Sequence, residues 1–269
     1  MKQTFVQSIT CILLLFFTTV IVYAESEFPG RELYLGTPYI ELDELHASFD
    51  KNLIIDVRSP YEFQTLHISG AVNVPIKARN FISRIRELQQ QNKNKTLVTY
   101  CNGKTCMKSY KAAVKCRHKG INNVKVFDTG VLDWATTYPK QAVLLGKNPI
   151  DPTHIISKKT FKSHLLKHEE FIKQASGKNT SIIDIRDPAQ RAGMSLFIGV
   201  EKRIPLDNQE QMRPLIKKAV KENKTIYIYD EAGKQVQWLM YYLKDIGANS
   251  FYFMDGGMKS FYSSLRKDF

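Results

Sequence analysis

Cysteine is absent from residues 156–269 of this 269-residue chain, and only four occur in all: Cys11, Cys101, Cys106 and Cys116. Thiol chemistry is thereby excluded from that second half. No zinc-ligand spacing of cysteine and histidine occurs, and nothing in the sequence suggests a metal or an organic cofactor. Arginine-rich runs and RNA-binding signatures are missing too, so nucleic acid is not an expected partner despite a net charge of +13. The apolar run at residues 11–24 falls short of the roughly 18–20 residues that a spanning helix needs, and Thr18 and Thr19 weaken it further.

What is present suits a soluble, exported chain. Apolar residues make up 43% and charged residues 24%, which are globular values, and the length accommodates two small domains. Lys2, the apolar run and Val22-Tyr23-Ala24 before Glu25 read as a signal peptide over residues 1–24, with an uncleaved anchor as the alternative. Cys11 precedes the apolar run, which argues against a lipoprotein. Cleavage predicts a periplasmic or secreted protein with no stable membrane insertion. It leaves three cysteines, and an odd count in an exported chain points to a free or reactive thiol. The scattered lysines favour anionic partners.

The chain repeats itself. Leu53-Ile54-Ile55-Asp56-Val57-Arg58 recurs as Ser181-Ile182-Ile183-Asp184-Ile185-Arg186, and Thr96-Leu97-Val98-Thr99-Tyr100 as Thr225-Ile226-Tyr227-Ile228-Tyr229. Val126-Phe127-Asp128-Thr129-Gly130 nearly recurs as Tyr252-Phe253-Met254-Asp255-Gly256-Gly257. The common order and nearly common spacing indicate a tandem duplication. In the first copy, residues 53–57, 96–100 and 124–127 read as short buried strands, and residues 81–91 and 107–119 as helices, the latter ending at Gly120. Such alternation predicts an α/β fold: two tandem domains, each a parallel sheet covered by helices on both faces. The expected bounds are 38–140 and 156–269, joined by a linker at 141–155 rich in breakers such as Gly146, Pro149 and Pro152.

Ligands of parallel α/β sheets bind beyond the carboxyl ends of the strands. Cys101 sits there, directly after residues 96–100, and a helix follows near Met107. Cys101, Asn102, Gly103, Lys104, Thr105 and Cys106 therefore form a tight strand-to-helix loop that can turn amide N–H groups toward the sulfur. The helix N-terminus, Lys104 and Lys108 add positive potential, and all of these favour the nucleophilic thiolate.

Asp56-Val57-Arg58-Ser59-Pro60-Tyr61-Glu62-Phe63, followed by His67-Ile68-Ser69-Gly70-Ala71-Val72-Asn73-Val74-Pro75, resembles the first signature of the rhodanese-like sulfurtransferase family. The Cys101 loop is similar to that family's active-site loop, and Asp128-Thr129-Gly130 with Trp134 to its closing signature. The resemblance implies a persulfide mechanism. Cys101 takes sulfane sulfur from a small anionic donor such as thiosulfate and passes it to cyanide or a thiol, a protein thiol included. The loop residues from Asn102 to Cys106 stabilise thiolate and persulfide, and the Asp56 and Arg58 positions are structural. Related phosphatases carry a longer loop with an arginine six positions after the cysteine; here that position is Met107, which favours sulfur over phosphate chemistry.

The second copy departs from the pattern. Asp230 stands in the cysteine position of Asp230-Glu231-Ala232-Gly233-Lys234-Gln235, Leu196 replaces the His67 equivalent, and Glu201-Lys202-Arg203 interrupts the run before Pro205. A carboxylate cannot carry a persulfide, so this domain is expected to be inactive and to cover or shape the active face of the first. Cys106 has two readings: a small residue at a helix start, or a resolving thiol that pairs with Cys101. That pairing supports an alternative function, a binding or redox-switch protein. Cys116, Trp134 and Trp238 are expected in the core, His67 in a structural role, and Phe251 to Phe253 in a buried strand.

Overall fold

The computed structural model describes residues 26–192 and 195–266. The signal peptide expected at 1–24, with Cys11, lies outside the described residues. Eleven strands occur among them. Those of the first half are β1 (Asn52–Asp56), β2 (Leu66–Ile68), β3 (Val72–Asn73), β4 (Thr96–Tyr100), β5 (Val124–Phe127) and β6 (Ala142–Leu144). Those of the second are β7 (Leu165–Leu166), β8 (Thr180–Asp184), β9 (Lys202–Arg203), β10 (Thr225–Tyr229) and β11 (Phe251–Met254).

Two parallel sheets form, β3-β1-β4-β5 and β7-β11-β10-β8-β9. A bridge from Tyr39 to Val126 adds an edge to β5 as β7 does to β11, so the two sheets have one strand order. The predicted duplication is thus a structural one. Lys202 and Arg203, read as an interruption, instead form β9, the counterpart of β3.

Alternation along the strands explains the two covered faces. Leu53, Ile55, Leu97, Val124 and Val126 pack against Phe81, Ile85, Leu88, Tyr110 and Cys116, which line the helices Phe81–Gln91 and Lys108–Arg117. Ile54, Val98, Tyr100 and Phe127 point the other way, onto Leu45, Val131 and Trp134. Helix Lys108–Arg117 ends in a Schellman turn: Gly120 has φ 77°, its N–H bonds to Arg117 O, and Ile121 N–H bonds to Cys116 O.

This second face does not stop at the domain boundary. The same apolar cluster continues through Ile183, Ile216, Ile228, Trp238 and Leu239 of the second half. Each such side chain contributes about 2–3 kcal/mol on full burial, so the shared core binds the halves tightly. Arg58 lies 5.0 Å from the Trp238 ring, and Asp207 accepts from Tyr61 N–H at 2.9 Å.

The expected linker needs correction. Residues 142–144 form β6, which pairs antiparallel with β2, and Ala142, Leu144 and Ile150 are buried. Ala142 and Leu144 alternate inward around Val143, enough to complete a hairpin-like ribbon that remote β2 supplies. Residues 26–37 also belong to the first half: Arg31 binds Asp128 at 2.9 Å and Glu41 at 2.8 Å.

Candidate functional site

β4 is the central strand of its sheet, paired with β1 through Asp56 and Tyr100. Cys101 follows at its carboxyl end and is buried. Residues 101–107 turn back under the Asp128-Thr129-Gly130 segment before helix Lys108–Arg117 begins. Gly130 has φ 83°, and a Cβ there would strike the Gly103 backbone. Val131 N–H bonds to Cys101 O at 3.1 Å, which fixes the start of the loop.

Cys101 and Cys106 are joined in a disulfide, with Cα atoms 6.4 Å apart. Cys101 Sγ lies 3.1 Å from Cys106 O and 3.6 Å from Ser109 Oγ; the disulfide sulfur has no proton, so the Ser109 hydroxyl is the donor of that second pair. Cys116 is a free, buried thiol in the core, pushed up to about 11 by burial.

A fully buried polar cluster holds the loop from behind. Arg58 binds Asp56 at 2.6 Å and donates to Asn102 Oδ1 at 3.1 Å. Asn102 donates in turn to Glu62 Oε1 at 3.0 Å. Glu62 N–H and the Ser59 side chain form a capping box at helix Pro60–Thr65, so the carboxylate is aimed by its own helix start. Burial pushes the Glu62 carboxyl up, but Lys108, Arg58 and Asn102 outweigh it and hold the group at about 2.

Both lysines of the loop region have acidic partners. Lys108 binds Glu62 at 3.2 Å, while Lys104 pairs with Glu27 and lies 3.8 Å from Asp133. Both lysines are thus ion-paired in this structure. The amide cradle differs from the expectation: Cys106 N–H bonds to Gly103 O at 2.8 Å instead of facing Cys101. His67 is structural as expected, with Nδ1 2.8 Å from Phe63 O and its ring stacked on Phe63. Trp134 and Trp238 are core residues.

The second loop shows the cradle that the first lacks. Asp230, buried, accepts from the N–H groups of Ala232 at 2.8 Å, Gln235 at 2.5 Å and Val236 at 3.1 Å, and from that of Gly233. Burial raises the Asp230 pKa and the four backbone donors oppose that shift. This loop also touches the first site. Lys234 Nζ donates to Thr105 O at 3.1 Å and Oγ1 at 3.2 Å, and Gln235 Nε2 to Glu62 at 3.3 Å. A cleft of about 530 Å³ opens between the halves, lined on one side by Asn102 to Cys106 and on the other by Lys158, Phe161 and Lys234. Sequence reasoning missed these second-half residues; the equal loop lengths were the available signal.

Each half is therefore an α/β domain with a strand-to-helix loop at the carboxyl end of its central strand, cysteine-bearing in one and carboxylate-filled in the other. The rhodanese-like domain model matches residues 41–137 and 167–264, and the chain belongs to that family. It is similar, at 30% identity over 116 residues, to the tRNA uridine(34) hydroxylase of Sodalis glossinidius, covering 41% of this chain and 32% of that protein. The corresponding protein of Photorhabdus laumondii is 28% identical over the same length. The chain thus matches about a third of the length of these relatives. Among solved structures, one match is the thiosulfate sulfurtransferase of Pseudomonas aeruginosa, at 20% identity and TM-score 0.37, over 87% of this chain and 47% of that one.

Proposed function

We propose that the first domain transfers sulfane sulfur through a persulfide on Cys101. The observation that carries the reading is the position of Cys101 at the carboxyl end of β4, ahead of a loop whose twin wraps four amides around a carboxyl group. The thiolate attacks the outer sulfur of a donor such as thiosulfate, the donor's S–S bond breaks, and sulfite leaves with its electron pair. Cyanide, a small thiol or a protein thiol then takes that sulfur and returns Cys101 as thiolate. Asn102, Gly103, Lys104, Thr105 and Cys106 form the surrounding loop, tied to Arg58 and Glu62 through Asn102.

Cys106 is the resolving thiol in this reading. Its attack on the inner sulfur of the Cys101 persulfide releases sulfide and forms the disulfide, after which turnover needs a reductant. The second domain is non-catalytic, because Asp230 fills its loop. With residues 1–24 as a signal, the protein works outside the cytoplasm. The relatives' name points to a tRNA substrate; a cleft of about 530 Å³ fits a small anion better.

The test is mass spectrometry of the reduced Cys106→Ser protein after thiosulfate exposure, in which the persulfide has no resolving thiol. One added sulfur on Cys101 is expected, and its absence sinks the proposal. The disulfide favours a second reading, a redox switch without sulfur transfer. In that case the Cys106→Ser protein gains no sulfur and the wild type forms its disulfide without releasing sulfide.

A further inference from the structure

The two sulfurs of the first loop differ in how a reagent can approach them. Cys106 borders the cleft between the halves and is 8% exposed; Cys101 is 1% exposed and lies inward, against Ser109. The same cleft carries Lys104, Lys158 and Lys234. Carboxylates compensate Lys104, but among the described residues none lies within ion-pair reach of Lys158 or Lys234. Lys234 donates to the neutral oxygens of Thr105. The approach to Cys106 thus carries a small excess of positive charge, Lys104, Lys158 and Lys234 against Glu27 and Asp133.

The second loop shows what can receive Cys101 as it departs. The four N–H groups that grip Asp230 belong to Ala232, Gly233, Gln235 and Val236. Counted from the strand end, their counterparts are Gly103, Lys104, Cys106 and Met107. Cys106 N–H is turned to Gly103 O, and the other three donate to no protein acceptor among the described residues. Opening the disulfide frees Cys106 to turn, so that four amides can converge on the Cys101 thiolate. Stabilising the departing thiolate speeds exchange.

We propose that the Cys101–Cys106 pair is a thiol–disulfide exchange site in which an anionic external thiolate attacks Cys106 and Cys101 departs. In the first step a bond forms between the external sulfur and Cys106 Sγ. The Cys101–Cys106 bond breaks, and its electron pair stays on Cys101 as thiolate. A second external thiolate then attacks the external sulfur of the mixed disulfide, and Cys106 departs. Two external thiols are oxidised to one disulfide, the protein disulfide is reduced to two thiols, and the two protons pass to Cys101 and Cys106. No persulfide takes part, so the reaction is testable without sulfur transfer, although in the proposed cycle it is also the step that reopens the disulfide.

The experiment uses oxidised full-length protein without thiosulfate and two monothiol probes of opposite charge, 2-mercaptoethanesulfonate and cysteamine. The reaction is quenched with acid and the mixed disulfide mapped by peptide mass spectrometry. The adduct is expected on Cys106, with Cys101 free to be alkylated. The sulfonate probe is expected to react faster, each rate being normalised to that of the probe with a small uncharged disulfide. Lys234→Gln should reduce that preference by roughly threefold, the scale of one partly screened charge. An adduct on Cys101, or on both cysteines in comparable amounts, overturns the proposal. So does a faster reaction of cysteamine, or a protein whose two loop cysteines both stay alkylatable after oxidation. A preference unchanged in Lys234→Gln overturns the role of that lysine.

Discussion

Asp230 occupies in the second sheet the position that Cys101 occupies in the first. Each directly follows the last residue of a central strand, Tyr229 paired with Asp184 in one and Tyr100 paired with Asp56 in the other. One side chain fills the loop amides with a carboxyl group; the other is held in a disulfide, with the Cys106 N–H turned to Gly103 O.

Replacing Cys101 by Ser should abolish thiocyanate formation from thiosulfate and cyanide, while Cys116→Ser should keep most of it. Cys116 is buried in the helix Lys108–Arg117 face and its thiol is held protonated at neutral pH. A Cys101→Ser protein that retains most activity in this assay would remove the residue from the mechanism.

Asp230→Ala removes the acceptor from four backbone donors in a buried loop. The loss should be about 2–4 kcal/mol in urea unfolding, given the penalty for unsatisfied buried amides. Because the vacated cradle suits a small oxyanion, sulfate should restore part of that stability by mass action. No loss, or a loss insensitive to sulfate, would contradict the self-filled cradle.

Glu62 predicts an acid-sensitive step. Its carboxyl titrates at about 2, below the ordinary 4.5, so the folded state binds the proton less readily than the unfolded chain. The stabilisation is present above about pH 4.5 and is lost as pH falls from there through about 2; the shift corresponds to about 3 kcal/mol. Glu62→Gln should flatten this part of the stability curve. An unchanged acid limb would show that Glu62 is not the group responsible.

Gly130→Ala places a methyl group against the Gly103 backbone at a φ of 83°. The loop must shift, and displacement of about 1 Å at a reacting group costs on the order of 100-fold in rate. The variant should remain folded, with an unchanged far-ultraviolet circular dichroism spectrum, while sulfur transfer drops. Full activity would show that the loop tolerates the displacement.

Much of this architecture was legible before any coordinates. Apolar runs and their repetition located the central strands, and the helix at residues 81–91 was read with the bounds observed. Cys101 was found at a strand end because strand length and loop length are local properties. What escaped depends on distant partners. Lys104 and Lys108 looked like free charges because Glu27 and Glu62 lie far away in sequence. β6 passed for linker because three residues acquire strand geometry only through β2. The grip of Arg31 on Asp128 joins residues 97 positions apart, which no local pattern announces.

The shared core also sets an order of events during synthesis. Arg58, Tyr61 and Thr105 are made well before Asp207, Lys234 and Trp238, the residues that cover or bind them in the finished protein. Because domains fold as units, N-terminal one first, the nascent first half carries this face bare to water. Until the second half docks, the loop lacks both the Lys234 contact and the far wall of the cleft that stand over it in the finished protein.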